Sequence, residues 1–276
     1  MKRRAGGRAA YRIHLEYDGS RYSGWQRQGE GQTRAGIKTI AGSLERILTA
    51  ESLTPLALVG SGRTDSGVHA MDQVAHLHLP ADRAPSPARL RAILEAGLPS
   101  DIVVTRVSTC DPSFHARHDA VARTYLYCLA LRRSAFVKPY VWWQRRPLDR
   151  HRVTEALACF QGFHDVGAFA DLEPEDSPRC ELQACTSREE GSLLVLRFTA
   201  SHFLRRQVRR MVGAVVACGV GEVPLATLSK DLRQPTRDAN LYWAERAAPS
   251  SGLFLARVRY SGDSSADPEL PWFSLP

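Results

Sequence analysis

The feature that most constrains this chain is a short glycine-rich polar loop between two strand-like runs. The loop reads Gly60-Ser61-Gly62-Arg63-Thr64-Asp65-Ser66-Gly67-Val68-His69-Ala70, and the strand-like runs cover 56–59 and 73–79. Glycines let a ligand approach the backbone closely, and functional groups concentrate on loops that rigid elements hold. If the backbone is extended here, Arg63 and Asp65 point to the same side. The loop is therefore a candidate functional site, with a surface ion pair in a glycine-rich turn as the alternative.

Strand-like and helix-like segments mix along the chain without strict alternation. Residues 11–17 alternate apolar and polar side chains, as a half-buried strand does. Ile37, Ile40, Leu44, Ile47 and Leu48 fall on one helical face. Such a mixture predicts the α+β class with mainly antiparallel sheets. Further strands are predicted over 102–107, 123–131, 193–199 and 253–260. Further helices are predicted after Ser86, after Asp149, over 203–217 and around 225–232. A long loop is predicted over 171–187.

The length of 276 residues fits one large domain or two small ones. Pro139 and Pro147 punctuate a connector near 131–147. We predict two sheet-and-helix subdomains, one over 11–135 that carries the loop and one over 148–262. A basic tail over 1–10 and a second tail over 263–276 flank them.

The chain carries a net charge of +8, and only four of its 37 basic residues are lysines. Arginine recognises phosphate with two parallel hydrogen bonds and stacks on bases. The positive balance therefore predicts a nucleic-acid partner. Biased codon usage is an alternative reason for arginine over lysine, but it does not explain the excess of positive charge.

Six cysteines occur without a CxxC pair or a zinc-finger spacing to histidine. We interpret them as reduced, mostly buried thiols in a cytoplasmic protein. His69, His76 and His115 fit no metal-ligand template, so we predict no metal site. No apolar run reaches the roughly 18 residues that a membrane span needs, so we predict no membrane partner.

Gly62 to His69, read as Gly-Arg-Thr-Asp-Ser-Gly-Val-His, closely resembles the active-site signature of the TruA family of tRNA pseudouridine synthases. The aspartate of that signature is the family's nucleophile, and the match falls on Asp65. The resemblance extends over most of the chain. The other matching blocks are 17–19 with 22–28, 114–117, 123–127, 201–213 and 252–255.

The resemblance also implies the residues around the substrate. Tyr125, the first tyrosine of Arg-Thr-Tyr-Leu-Tyr, takes the position of the residue that stacks on the target uracil. Arg209 aligns with the family's active-site arginine, and Leu253 with the residue placed against the base. Arg63 is expected to hold Asp65 or to fill the space of the flipped base. From chemistry alone, Tyr125 offers a ring for stacking and a hydroxyl for proton transfer, or it is a structural tyrosine in a sheet.

A basic cluster, defined as Arg205, Arg206, Arg209 and Arg210, lies in the predicted helix over 203–217. At spacings of four, Arg205 would stack with Arg209 and Arg206 with Arg210 along helical rows. We predict that Arg205, Arg206 and Arg210 contact RNA phosphates. A solvated basic face is the alternative.

The resemblance implies a pseudouridine synthase fold with its two subdomains around a central catalytic cleft. It further implies uridine isomerisation in the anticodon stem-loop of tRNA, at positions 38, 39 and 40, by a homodimer that needs no cofactor or metal. The alternatives are an enzyme of this fold that acts on other RNAs and a non-catalytic RNA-binding homologue. Ala41, Glu95 and Val166 depart from the family pattern and leave the target nucleotides open.

Overall fold

The computed structural model describes residues 7–26 and 38–264 in two compact units. Within that range, the first unit comprises 7–120 with Tyr260–Asp263, and the second comprises 121–259 with Ser264. The division lies upstream of the connector at 131–147 where the prolines suggested a boundary. Most of both predicted tails, and Arg27, Gln28 and Ile37 of the sequence motifs, lie outside the described residues.

The first unit is built on an antiparallel sheet with β1 (Arg8–Tyr17) at its centre. β2 (Ala57–Gly60) pairs with β3 (His69–Pro80), and β1 lies between β3 and β4 (Ile102–Thr109). Ile13 and Leu15 of β1 are fully buried, which confirms the strand predicted from the alternation. β1 starts at Arg8, so residues 8–10 are strand rather than tail.

Two helices of this unit follow their capping signals. α1 (Ile40–Ala50) starts after Thr39, whose hydroxyl accepts from the Gly42 amide. α2 (Pro87–Gly97) starts after Ser86 and carries proline at its first position, where the missing N–H costs no hydrogen bond. α1 buries Ile40, Leu44, Ile47 and Leu48, and α2 buries Leu90 and Leu94, so both predicted helices are confirmed.

The first unit also includes four residues that come much later in the chain, Tyr260–Asp263. The Tyr260 hydroxyl donates to the Ala116 carbonyl at 2.7 Å. The Arg12 guanidinium lies 4.2 Å from the centre of the Tyr260 ring and 3.3 Å from an Asp263 carboxylate oxygen. A strand at the beginning of the sequence is thus stabilised by residues near its end.

The second unit contains a larger sheet covered by helices. Its strands are β5 (Ala120–Ala130), β6 (Trp142–Trp143), β7 (Gly162–Asp165), β8 (Arg179–Glu190), β9 (Leu193–Ala200) and β10 (Leu253–Tyr260), and its helices are α3 (Arg150–Phe160), α4 (Gln207–Gly219), α5 (Leu225–Arg233) and α6 (Arg237–Glu245). The strand order is β10-β5-β9-β8-β7. β5–β9, β9–β8 and β8–β7 are antiparallel, whereas the two-residue β6 pairs parallel with β5. The prediction of an α+β fold with mainly antiparallel strands is confirmed.

The long loop predicted over 171–187 is wrong from residue 179 onward, because β8 occupies 179–190. Cys180, Leu182 and Cys185 are its buried residues. The pairing with β9 shifts between Leu182 and Ala184, so the buried positions depart from strict alternation. The exposed side carries charged residues that resemble a solvated loop in sequence.

Aromatic packing fixes α6, a helix that the sequence patterns did not predict. The Trp243 ring stacks on Phe169 with centroids 5.3 Å apart, and its indole N–H donates to Asp231 at 2.9 Å. Asn240 donates to the carbonyls of Gly167 and Ala170. Four of the six cysteines are buried, as predicted. Among the residues that the structure describes, no helix is long and apolar enough to cross a membrane.

A histidine cluster in the first unit consists of His76, His78, His115 and His118. The ring centroids of His76 and His115 are 4.7 Å apart, and those of His115 and His118 are 4.2 Å apart. The Ala116 amide donates to Nδ1 of His76, which is 3% exposed. Burial, together with the neighbouring imidazoles of His115 and His78, lowers the pKa of His76 to about 4.

We expect His76 to make folding weaker at acidic pH. Its pKa is about 4 in the folded state against an ordinary value of 6.5, so between these values the unfolded chain binds a proton that the folded chain does not. The contribution of His76 to the free energy of unfolding is therefore fully present above pH 6.5. It falls by roughly 1–3 kcal/mol as the pH drops toward 4. Asp119 partly opposes the shift and Arg8 adds to it. Urea unfolding at pH 7.5, 6, 5 and 4 measures the loss.

The control pair for this prediction is His76→Gln and His151→Gln. Glutamine can still accept from the Ala116 amide, whereas His151 has an 82% exposed side chain. His76→Gln should flatten the pH dependence and His151→Gln should leave it unchanged. An equally steep loss in the His76 variant would show that another group controls acid unfolding.

Candidate active site

A buried glutamine holds the first half of the loop between β2 and β3. The Gln73 side-chain oxygen accepts from the Ser61 hydroxyl at 2.7 Å, and its nitrogen donates to the Gly62 carbonyl at 3.0 Å. The Ser61 amide donates to the Val74 carbonyl. Gln73 is fully buried, and a buried polar side chain is stable only when it is hydrogen-bonded. The loop and β3 therefore fix each other.

Thr64 anchors the centre of the loop. Its hydroxyl lies 2.9 Å from the Tyr17 hydroxyl, and both side chains are buried. Burial raises the pKa of Tyr17 to about 12, against the lowering effect of its hydrogen bonds to Thr64 and Gln73, so this hydroxyl stays neutral. Arg63 is exposed, Thr64 is buried and Asp65 is half-buried. This alternation matches an extended backbone that turns Thr64 inward and its two neighbours outward.

The segment around Gly24 supports the second half of the loop. The Trp25 amide donates to the Thr64 carbonyl at 3.1 Å, and the Gly67 amide donates to the Tyr22 carbonyl at 3.2 Å. Gly24 has φ of +93°, and a Cβ there would collide with the Thr64 carbonyl oxygen and lie 3.1 Å from the Asp65 carbonyl carbon. Only glycine fits this approach.

Trp25 has a structural position. It is 4% exposed, and its indole lies against Gly60 at the end of β2, where a Cβ would be 2.6 Å from the ring. This position is that of a core residue. The end of the loop is held by His69, whose Nδ1 accepts from the Gly19 amide at 3.1 Å. The sequence block 17–25 thus builds the support of the Asp65 loop.

The second unit carries the other predicted substrate-binding residues. Tyr125 lies on β5, opposite Phe198 of β9, and is 9% exposed. Its ring meets Phe203 edge-on, with centroids 5.2 Å apart and an interplanar angle of 89°. Phe203, which the motif analysis did not assign to the site, therefore fixes the orientation of the Tyr125 ring.

The structure brings Arg209 together with the segment that precedes Leu253. Arg209 Nε donates to the Ala248 carbonyl at 2.7 Å, and the Ala248 amide donates to the Arg209 carbonyl at 2.9 Å. The Tyr127 hydroxyl donates to the Pro249 carbonyl at 2.8 Å. Leu253 is 5% exposed and begins β10. Arg209 and Tyr127, which belong to two different motifs, thus both bind the segment at Ala248 and Pro249.

The helical rows predicted for the basic cluster are wrong. α4 begins at Gln207, and Arg206 before it has φ of +61°. A left-handed residue interrupts helical stacking, so Arg205 and Arg206 lie outside the helix, where both are exposed. Their predicted contacts with RNA stay predictions.

Arg210 is buried in an ion pair with Asp171, which also lies 3.4 Å from Arg206. Burial lowers the pKa of Arg210, and the Asp171 carboxylate opposes that shift. The predicted RNA contact of Arg210 stays a prediction, but this side chain has an internal partner that the sequence patterns did not reveal. Asp171 was missed because it fell in the segment predicted as a loop.

The departures from the family pattern occupy ordinary structural positions. Ala41 and Val166 are buried, and Glu95 pairs with Arg91 one turn earlier on α2. Within residues 7–26 and 38–264, no group of three or more His, Cys, Asp or Glu side chains could hold a metal ion. Independence of metals and cofactors stays a prediction.

Comparison with known proteins points to one family. A family model described as tRNA pseudouridine synthase matches residues 13–119 and 156–261. The tRNA pseudouridine synthase A of Paraburkholderia phymatum is 39% identical over 254 residues, which cover 90% of each chain. The protein of the same name from Dictyoglomus thermophilum is 31% identical over 252 residues, which cover 91% of this chain and 99% of that one.

Among solved structures, an unknown protein from Galdieria sulphuraria matches with a TM-score of 0.23 and 9% identity, over 70% of this chain and 81% of that one. A score this low carries no argument. The sequence relatives align over nine-tenths of the chain, and the family model spans both blocks that carry the motifs. The chain therefore belongs to the tRNA pseudouridine synthase family, whose members are isomerases.

Proposed function

We propose that this protein converts uridine to pseudouridine in tRNA, with Asp65 as the nucleophile. The observation that carries the proposal is the Arg63-Thr64-Asp65 segment, which Gln73, Tyr17 and the Gly24 segment hold while Asp65 stays half-buried. Catalytic groups need such support, because small misplacements of a reacting atom cost large factors in rate. The matching relatives are named for this reaction.

The reaction is an isomerisation that balances without a co-reactant. The Asp65 carboxylate attacks either the sugar C1′ or the base C6, and the N1–C1′ bond breaks. The base turns, C5 bonds to C1′, the C5 proton leaves, N1 takes up a proton and the carboxylate departs. No atom is gained or lost overall, which supports the expectation that no cofactor is required.

The surrounding residues have supporting roles in this proposal. Tyr125 stacks on the target uracil, and Leu253 packs against the base. Arg63 and Arg209 hold Asp65 or occupy the space that the flipped base leaves. The target must leave its stack to react. The geometry of the second unit supports these roles, because the Ala248 carbonyl orients Arg209 and Phe203 orients Tyr125.

The family resemblance supports three finer proposals about the setting. The target uridines lie in the anticodon stem-loop, at positions 38, 39 and 40. Two copies of the chain act as a homodimer on one tRNA. The reaction takes place in the cytoplasm. The net charge of +8 favours an RNA partner.

The experiment that tests the function maps pseudouridine in RNA treated with the purified protein. Unmodified tRNA transcripts, an anticodon stem-loop and a ribosomal RNA fragment serve as substrates. We expect pseudouridine in the anticodon arm of tRNA. Modification confined to the ribosomal fragment would favour the alternative target class, and binding without modification would favour a non-catalytic homologue.

We expect Tyr125 to matter mainly as a stacking surface. Aromatic–base stacking is worth roughly 1–3 kcal/mol per base, so Tyr125→Ala should lower kcat/KM by about 5- to 150-fold. Tyr125→Phe keeps the ring and its edge contact with Phe203, and should retain most activity. Single-turnover rates on tRNA distinguish the two variants. Equal loss in both would assign proton transfer to the hydroxyl, and normal rates in both would make Tyr125 a core residue only.

A further inference from the structure

A long acid-free segment of the second unit has no role in the proposed chemistry. Residues 131–148 contain Arg132, Arg133, Lys138, Arg145 and Arg146 but no aspartate or glutamate. All five cations are exposed. Such a concentration of one charge sign favours binding of an anionic partner.

Two guanidinium groups of this segment converge on one aromatic ring. The Arg133 carbon Cζ lies 5.4 Å from the centre of the Trp143 ring, and that of Arg145 lies 5.1 Å from it. The backbone of Trp143 is fixed by β6, which pairs with Ala130 of β5. Two like charges on one ring repel each other, whereas an anion beside them would be attracted to both.

An exposed phenylalanine lies in the same segment. The Phe136 side chain is 93% exposed and stands in the sequence between Arg133 and Lys138. A tight turn follows it, in which the Tyr140 amide donates to the Val137 carbonyl at 2.9 Å. The ring is therefore open to a partner, and its flat face can stack on another ring.

The acidic residues of the described chain compensate this segment only in part. Arg146 pairs with Glu222 at 3.1 Å, and Glu222 also lies 3.6 Å from Arg246. Arg133, Lys138 and Arg145 have no acidic side chain within 4.0 Å among the residues that the structure describes. These three charges are therefore available to an external anion.

We propose that Arg133, Phe136, Lys138, Trp143 and Arg145, here called the cationic–aromatic patch, form a second RNA-binding surface of this enzyme. Phe136 stacks on an unpaired base of the RNA, and the three cations contact the flanking phosphates. Proteins that bind unpaired nucleic acid combine these two elements, aromatic stacking and a positive track for the backbone. The inference rests on the proposed function for the identity of the RNA, a tRNA.

RNA explains the patch better than a second copy of the chain does. A two-fold interface pairs one part of a self-complementary surface with another part of the same surface, so these cations would need acidic residues within that surface, and residues 131–148 contain none. Phosphates neutralise them instead and release counterions. The exposed phenylalanine then has a flat base as its partner.

The first arm of the test measures charge. The triple variant Arg133→Ala/Lys138→Ala/Arg145→Ala is compared with Arg152→Ala/Arg188→Ala/Arg237→Ala, which removes the same charge from exposed positions of the same unit. tRNA affinity is measured at several salt concentrations. Each phosphate contact contributes about 0.7–0.9 to the slope of log affinity against log salt, so the patch variant should lower the slope by about 2. The control variant should lower it by less than half as much.

The second arm measures stacking. Phe136→Leu keeps an apolar side chain and removes the ring, whereas Phe136→Trp keeps a ring. We expect tRNA affinity to fall by about 5-fold or more in Phe136→Leu, in line with the loss of one stacked base, and to stay near that of the parent protein in Phe136→Trp. Equal affinities in all three proteins would overturn the stacking role.

Other outcomes separate this inference from the proposed function. Affinity does not depend on turnover, so a protein that makes no pseudouridine but loses tRNA affinity in the patch variants refutes the function and supports the patch. Normal pseudouridine formation with superimposable salt curves for the patch and parent proteins refutes the patch alone. Sedimentation of the same variants measures their oligomeric state. If the variants dissociate from a dimer while the tRNA affinity per subunit is unchanged, the patch is an interface with a second copy.

Discussion

Asp65→Asn is expected to abolish pseudouridine formation, with a rate lower by about 1,000-fold or more. The affinity for tRNA should change by only a few fold. Asparagine keeps the size of the side chain but cannot attack carbon, and loss of a nucleophile has effects of this order in other enzymes. The variant keeps the hydrogen bonds that Gln73, Thr64 and backbone groups make in the loop, so we expect the protein to remain folded. Single-turnover assays on tRNA measure the rate, and filter binding measures the affinity.

Ser66→Ala is the matched control for this prediction. Ser66 is the next residue of the loop, it is exposed, and its hydroxyl donates to the Tyr22 carbonyl at 3.2 Å. Its loss should leave most of the activity. Appreciable turnover by purified Asp65→Asn would remove Asp65 as the nucleophile, and equal loss in Ser66→Ala would point to loop geometry instead.

Gly24→Ala is expected to lower both stability and turnover, although Gly24 lies outside the loop itself. Its φ of +93° strains any other residue, and its Cβ would push against the backbone of Thr64 and Asp65. Left-handed strain costs about 1–2 kcal/mol and overpacking about 1–3 kcal/mol, so unfolding should be easier by about 2–5 kcal/mol. Turnover should also fall where the variant is still folded, because the displaced backbone carries the nucleophile.

Gly262→Ala separates the two causes. Gly262 has nearly the same φ, +86°, but its Cβ would meet no atom within 4 Å. This variant should therefore show the backbone strain alone, about 1 kcal/mol, with unchanged turnover. Equal unfolding energies for the two variants, measured by urea titration, would show that the Thr64 backbone moves aside without cost.

Local patterns predicted the elements whose signals lie within one segment. α2 has a capping serine, an N-terminal proline and a single apolar face, and it begins after Ser86 as predicted. β10 covers the predicted 253–260, because its apolar run has no competing turn signal. Asp149 was predicted to begin a helix and does cap α3.

The errors arose where distant residues decide the local structure. β8 has acidic and arginine residues on its exposed side, and only pairing with β9 makes it a strand. Arg205 and Arg206 have good helix propensity, but Arg206 adopts a left-handed conformation and the Asp171 backbone pairs with Arg205. Propensity over a short window contains no information about such partners.

In the candidate site, too, the local motif was predictable from the sequence and its distant supporting contacts were not. The motif around Asp65 is contiguous, so the sequence alone pointed to it. Its support is not contiguous, because Gln73 and Tyr17 reach it from two different strands. Gln73 has no distinctive local signal, because β3 also contains Asp72, His76 and His78. The anchoring of Arg209 by the Ala248 carbonyl involves a backbone atom, which no residue type encodes.

The membership of Tyr260–Asp263 in the first unit has a consequence for how the protein is made. A ribosome synthesises β1 before the second unit, but the residues that pack on Arg12 and Ala116 come at the end of β10 and just after it. Domains usually fold in the order in which they emerge. Here the first unit cannot acquire these contacts until residues 121–259 of the second unit have been synthesised, so its sheet stays incomplete during that time.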